Sequence, residues 1–291
     1  MLNLFIDTNI YLNFYDFQNE QLAKLEIIVA LIKEKKIKLF IPQQVVDEFK
    51  RNRENKLYVS IKYLEGLNPL KANFTDHGVP GLGSFQEELK KNKESLEKIK
   101  EDVVKQSISN TLPADKIVAS IFVNSVIALE EDLLKKAKGR FDRGNPPRKP
   151  KNSSSEEGNS YGDAINWETL LKYAPTREEL YVVSSDGDYG SPLRKGQISE
   201  FLRDEWKEVK NSKVILYTTI SEFLKDKFPD AKITKEEVEA EKSSSRFSST
   251  LSSRLSGANV TTTRNEIYNS GAFLNAIISS YIEDLQNDED I

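Results

Sequence analysis

The sequence predicts an α/β fold built on an open parallel sheet, and three observations lead there. Short apolar runs at Asn3–Ile6, Ile37–Ile41, Leu180–Ser184 and Val214–Tyr217 lack polar alternation, as expected of strands buried on both faces. Segments with helical apolar spacing separate those runs. Acidic residues follow two of the runs, Asp7 after the first and Asp186 after the third, and the carboxyl ends of strands are where open α/β sheets bind ligands.

The elements follow in order. After the first strand, Thr8 and Asn9 suit helix initiation, and helical material runs from Tyr11 to Lys33. Pro42 closes the second strand. From Gln43 the pattern is helical, with Val45, Val46, Phe49 and Leu57 inside and Arg51, Arg53 and Lys56 around them. Glu48 falls in the first turns of that helix, near the strand end that carries Asp7. Gly78–Ser84 reads as a loop, and Phe85–Gln106 as a charged, solvated helix. A further helical segment opens at Leu112 and runs to about Lys138, so residues 60–138 form a helical insertion.

Residues 139–158 change character. Arg140, Arg143, Arg148, Lys149 and Lys151 alternate with Pro146, Pro147 and Pro150, which predicts a stiff basic loop. Asp163–Tyr173 is the next helix, and Ile220–Phe228 follows the last strand. The main domain is expected to span residues 1–230, with an extension over 231–291. That extension holds a Ser-rich linker at 242–256 and a terminal helix in which Phe273, Leu274, Ile277, Ile278, Tyr281, Ile282 and Leu285 repeat at helical spacing. This helix is a candidate surface for a protein partner.

Composition narrows the chemistry. The chain has 291 residues and no cysteine, which excludes disulfides, thiol catalysis and cysteine zinc sites and fits a reducing, cytoplasmic setting. No secretory signal and no apolar run long enough for a membrane span are visible. The single histidine, His77, reads as a loop residue, so a histidine pair is excluded. Catalysis, if present, falls to carboxylates. The net charge of −4 gives no global attraction to nucleic acid, so a polyanionic substrate needs a local basic surface.

Four acids could meet at one site: Asp7, Glu48, Asp163 in Tyr161-Gly162-Asp163-Ala164, and Asp186. Gathered carboxylates would hold a hard divalent cation, which suits phosphodiester hydrolysis. Thr8 and Asn9 could orient Asp7. Arg140, Arg143, Arg148 and Lys149 could clamp phosphates. Each acid also has a plainer reading, as a helix cap or a polar turn. Of the neighbours Asp47 and Glu48, about 100° apart on the helix, Glu48 lies nearer the apolar side.

Taken together, Ile6-Asp7-Thr8-Asn9-Ile10, Ile41-Pro42 through Val46 and Glu48, Gly162-Asp163-Ala164-Ile165, and Val183-Ser184-Ser185-Asp186-Gly187-Asp188-Tyr189 resemble a PIN-domain nuclease. The resemblance covers about residues 1–228 and is nearest to longer bacterial PIN-like proteins. It implies a three-layer α/β/α sandwich around a parallel sheet. It also implies an endoribonuclease, with RNA ahead of DNA as substrate, using Mg²⁺ or Mn²⁺ held by Asp7, Glu48, Asp163 and Asp186. Asp188 is implied as a further ligand and Ser185 as a supporting hydroxyl. Homodimers are common among such proteins. The insertion and extension make the chain longer than the small PIN toxins, and transfer, messenger and ribosomal RNA and DNA stay open as substrates. Two alternatives remain. One is a phosphatase with Asp7 as nucleophile, although the second Asp of an Asp-x-Asp-x-Thr pattern is replaced by Asn9. The other is a non-catalytic binding module.

Overall fold

A computed structural model describes residues 1–16, 19–66, 81–123, 126–148 and 161–243. Its framework is a five-stranded sheet with strands β1 (Leu2–Ile6), β2 (Ile37–Pro42), β3 (Val126–Ile127), β4 (Leu180–Val183) and β5 (Val214–Tyr217). The spatial order is β3-β2-β1-β4-β5, and every pairing is parallel. The apolar runs predicted this parallel sheet, and the architecture is the three-layer α/β/α arrangement that the resemblance implied.

The order explains the layers. From β1 the chain moves to β2 on one side, through α2 (Asn19–Lys33). From β4 it moves to β5 on the other side, through α8 (Glu200–Lys210). Right-handed crossovers that run in opposite directions place their helices on opposite faces. Accordingly α2 packs against α5 (Pro113–Phe122) and α9 (Ile220–Lys227). On the other side α7 (Gly162–Tyr173) packs against α3 (Gln43–Gly66), α6 (Glu131–Asp142) and α8. The core between includes Leu4, Phe5, Leu25, Ile28, Val182, Trp167, Trp206 and Phe223, all fully buried. The remaining helices are α1 (Thr8–Asn13), directly after β1, and α4 (Leu82–Ser109), none of whose residues is buried.

The direction of connection reverses between β1 and β4, so a crevice opens at their carboxyl ends. Register decides what lies in it. Ile6 pairs with Val183 and Phe5 with Val182, so Asp7 and Ser184 are the next residues on adjacent strands. The Asp7 backbone N–H continues the ladder by donating to Val183 O at 2.9 Å.

The expected elements need three amendments. The segment read as one helix from Leu112 to Lys138 is two helices, α5 and α6, separated by the two-residue strand β3, which pairs with Ile41 and Pro42 at the sheet edge. Residues 139–142 belong to α6 rather than to a loop, because Leu133, Ala137 and Arg140 form one buried stripe. Helix α8 was not anticipated, and Ser199 caps it by accepting from the Leu202 N–H.

The expected main-domain end at 230 falls between α9 and a helix at 235–243, here α10. Contacts cross that point: both Glu241 carboxylate oxygens accept α9 backbone N–H groups, from Ile220 and Ser221, each at 3.1 Å. The Ser-rich linker beyond 243, the terminal helix, His77 and Lys149 lie outside the described residues. Among the described residues no helix is long and apolar enough to cross a membrane.

Candidate active site

Asp7 is the most constrained carboxylate in the crevice, with 3% of its surface exposed. It caps α1, and its Oδ1 accepts the Thr8 N–H at 2.8 Å. Its Oδ2 accepts from Ser184 Oγ at 2.6 Å and from Asn9 Nδ2 at 3.0 Å. Asn9 also donates to Ser184 Oγ at 3.3 Å, and its Oδ1 receives the Ser185 N–H at 3.4 Å. Residues 7–9 and 184–185 are thus stitched across 175 positions of sequence. The supporting hydroxyl comes from Ser184, not Ser185. Successive residues leaving a strand point to opposite sides, so Ser184 turns in while Ser185 is exposed and gives only its backbone N–H.

Glu48 approaches from α3, which starts directly after Pro42. Thr8 Oγ1 donates to Glu48 Oε2 at 3.4 Å, whereas Asp47 turns aside to accept from Gln43 Nε2 at 2.8 Å. Asp163 lies in the first turn of α7, and its carboxyl group shares a hydrogen bond with Asp188. Asp186 and Asp188 lie in the turn after β4. The Asp186 N–H donates to Ser184 Oγ at 3.3 Å, leaving the Asp186 side chain exposed, while Asp188 is buried. The structure therefore brings Asp7, Glu48, Asp163, Asp186 and Asp188 into mutual electrostatic reach from four segments.

The electrostatics have one sign. Burial, with the charges of Asp186 and Glu48, pushes the Asp7 carboxyl up to about 8, against the opposing bonds from Ser184 and Thr8. Burial first, then Asp7 and Asp188, raise Asp163 well above the usual carboxylate range. Burial also raises Glu48, although Arg51 and the Thr8 hydroxyl pull the other way. In each of the three, desolvation and the neighbouring carboxylates oppose the charged form more than the opposing contacts favour it. Their donor set is oxygen throughout, with no cysteine in the chain, and it fits a hard divalent cation by chemistry. As the side chains stand, no group of three or more His, Cys, Asp or Glu among the described residues converges to hold a metal ion.

Tyr189 was not singled out by the sequence. It is fully buried against Phe5 and Trp167, and its hydroxyl has no hydrogen-bond partner among the described residues. The charges of Asp7, Asp163, Glu48 and Asp188 all reach it. Its position one residue past Asp188 is the only signal the sequence offers.

Of the basic residues expected to clamp phosphates, Arg140, Arg143 and Arg148 lie among the described residues. Arg140 is 2% exposed, and its guanidinium donates to Glu168 at 2.7 Å, Glu205 at 2.5 Å and Pro146 O at 2.8 Å. Buried and bound to those partners, it is turned away from solvent and ties α6 to α7 and α8. Arg143 is exposed at the end of α6, and Arg148 covers the Phe141 ring at 5.1 Å. Trp167 is core and donates to Glu205 at 2.7 Å, while Tyr161 stays partly exposed edge-on to Phe141.

A family model described as a PIN domain matches residues 4–189, well over half of the chain, and its span runs from β1 through the turn that holds Asp186 and Asp188. No curated protein and no solved structure matches.

Proposed function

We propose that this chain, which belongs to the PIN-domain family, is a metal-dependent endoribonuclease whose site is the acidic crevice between β1 and β4. PIN domains are in general nucleases, hydrolases of phosphodiester bonds. The observation that carries the finer reading is the cluster of buried Asp7 and Asp188, half-buried Glu48 and Asp163, and exposed Asp186 at the switch point of a parallel sheet, with Asp7, Glu48 and Asp163 raised above the usual carboxylate range.

Asp7, Asp163, Asp186 and Glu48 would hold Mg²⁺ or Mn²⁺, with Asp188 beside them. The chemistry such a cation supplies when bound is neutralisation of charge growing on phosphoryl oxygens and activation of water. The chain's own groups set the stage. Thr8, Asn9 and Ser184 fix both oxygens of Asp7, so its lone pairs point in set directions. Thr8 Oγ1 tethers Glu48 to the same strand end. Asp163 is hydrogen-bonded to Asp188, and burial with the neighbouring carboxylates opposes its charged form. Five carboxylates repel a phosphodiester unless that charge is balanced, so substrate binding is tied to cation binding.

The test is cleavage of end-labelled single-stranded RNA and DNA in Mn²⁺, Mg²⁺ or EDTA by wild type, Asp7→Asn and Asp163→Asn. Cutting of RNA that needs the metal and drops at least a hundredfold in each folded variant is expected. A folded, metal-supplied wild type that cuts neither polymer would overturn the reading in favour of a binding module.

A further inference from the structure

The segment between the acidic turn and α8 is a built loop. Its feet, Tyr189 and Ile198, are buried, and Gly190 and Ile198 form an antiparallel bridge. The Ser191 N–H donates to Gln197 O at 2.8 Å, the Gln197 N–H to Arg194 O at 3.0 Å, and the Ser199 N–H to Tyr189 O at 2.9 Å. Ser191 Oγ receives the Arg194 N–H at 3.1 Å. Gly196, at φ +76° with open space where a Cβ would be, makes the return turn that other residues resist. A loop stitched this way presents its tip in a set direction.

The tip is Pro192-Leu193-Arg194-Lys195, all exposed. Leu193 is 91% exposed, more than any other large hydrophobic side chain among the described residues. Neither Arg194 nor Lys195 makes an ion pair among the described residues, whereas Arg53, Arg140 and Arg203 are each paired with carboxylates. One exposed leucine alone needs no explanation. Here it stands with two uncommitted cations on a rigid loop, five residues from Asp188. Five residues span at most about 18 Å, so the tip stays within a few nucleotides of the acidic crevice.

We infer that Leu193, Arg194 and Lys195 form the grip that holds a single-stranded nucleic acid beside the acidic crevice. This rests on the nuclease reading above and adds where the chain is held and in what form. The two cations sit on phosphates flanking the bond to be cut, offsetting the repulsion of the carboxylates in a chain with net charge −4. Leu193 lies against the face of a base, a contact that requires an unstacked base and so selects single strands over duplex. The loop takes the role that the sequence had suggested for Arg140 and its neighbours.

The experiment is fluorescence-anisotropy titration of a labelled single-stranded RNA, and of the same sequence as duplex, with the full chain. Ca²⁺ replaces Mg²⁺ to neutralise the carboxylates, and salt is varied. Wild type, Leu193→Ser and the double variant R194A/K195A are compared after circular dichroism and melting confirm equal folding. Losing two phosphate contacts should flatten the plot of log K against log salt by about 1.4. Leu193→Ser should weaken single-strand binding about fivefold with no change of slope and leave duplex binding unchanged. If wild type binds and both variants match it in affinity and slope, the grip is overturned and the nuclease reading stands. If wild type binds neither form, the nucleic-acid reading falls, and the grip with it.

Discussion

Replacing Asp7 by Asn is expected to make the metal-free protein less sensitive to rising pH. The Asp7 carboxyl moves from 3.8 to about 8 on folding. The folded state therefore keeps a proton that the unfolded chain has lost throughout that window. Stability owed to this group is complete below the unfolded value and disappears as pH climbs through the folded one. Each pH unit inside the window costs about 1.4 kcal/mol, so the three units from pH 5 to pH 8 cost roughly 4 kcal/mol. Asn carries no charge at either pH. It gives up one accepting oxygen, a loss of about 1–2 kcal/mol, but that loss is the same at both ends and drops out of the comparison. The assay is urea unfolding in EDTA at pH 5 and 8, followed by the fluorescence of the buried Trp167 and Trp206. The stability of the variant relative to wild type should rise by about 4 kcal/mol between the two. A gap that stays constant to within about 1 kcal/mol would refute burial and like-charge repulsion as the state of this carboxylate.

Arg140→Met should lower stability by about 3 kcal/mol in the same unfolding assay, because Glu168 and Glu205 lose their shared partner, while Arg143→Ala at the exposed end of α6 should change it by less than about 0.5 kcal/mol. Glu241→Gln keeps one of two acceptors for the first N–H groups of α9 and should cost about 1–2 kcal/mol in urea unfolding, with hydrogen exchange speeding up at Ile220 and Ser221 before it does in the sheet.

What was legible in the sequence is what depends on neighbours along the chain. β1, β2, β4 and β5 were visible because strands buried on both faces read as unbroken apolar runs. The acids following them were visible for the same reason. β3 was not, since two residues cannot establish a period. Arg140 was misplaced because arginine and proline composition suggested a loop, yet the spacing of Leu133, Ala137 and Arg140 marks the inner side of a helix. The choice of Ser184 over Ser185 was out of reach. It depends on the register of two strands whose partners lie far apart in sequence, and a one-residue slip would exchange them. Likewise nothing local shows that Tyr189 reaches four carboxylates.

The position of β1 at the middle of the sheet has a consequence for the protein's birth. β1 leaves the ribosome well before its second neighbour, which begins at Leu180, and before Ser184, whose hydroxyl fixes Asp7. At roughly 5–20 residues per second, the first strand waits on the order of ten to thirty seconds for that partner. Until then the acids are scattered along an unfinished chain and share no crevice. Whatever the cluster does, the ribosome, itself largely RNA, has already made every residue from β1 to Ser184 before the cluster can exist.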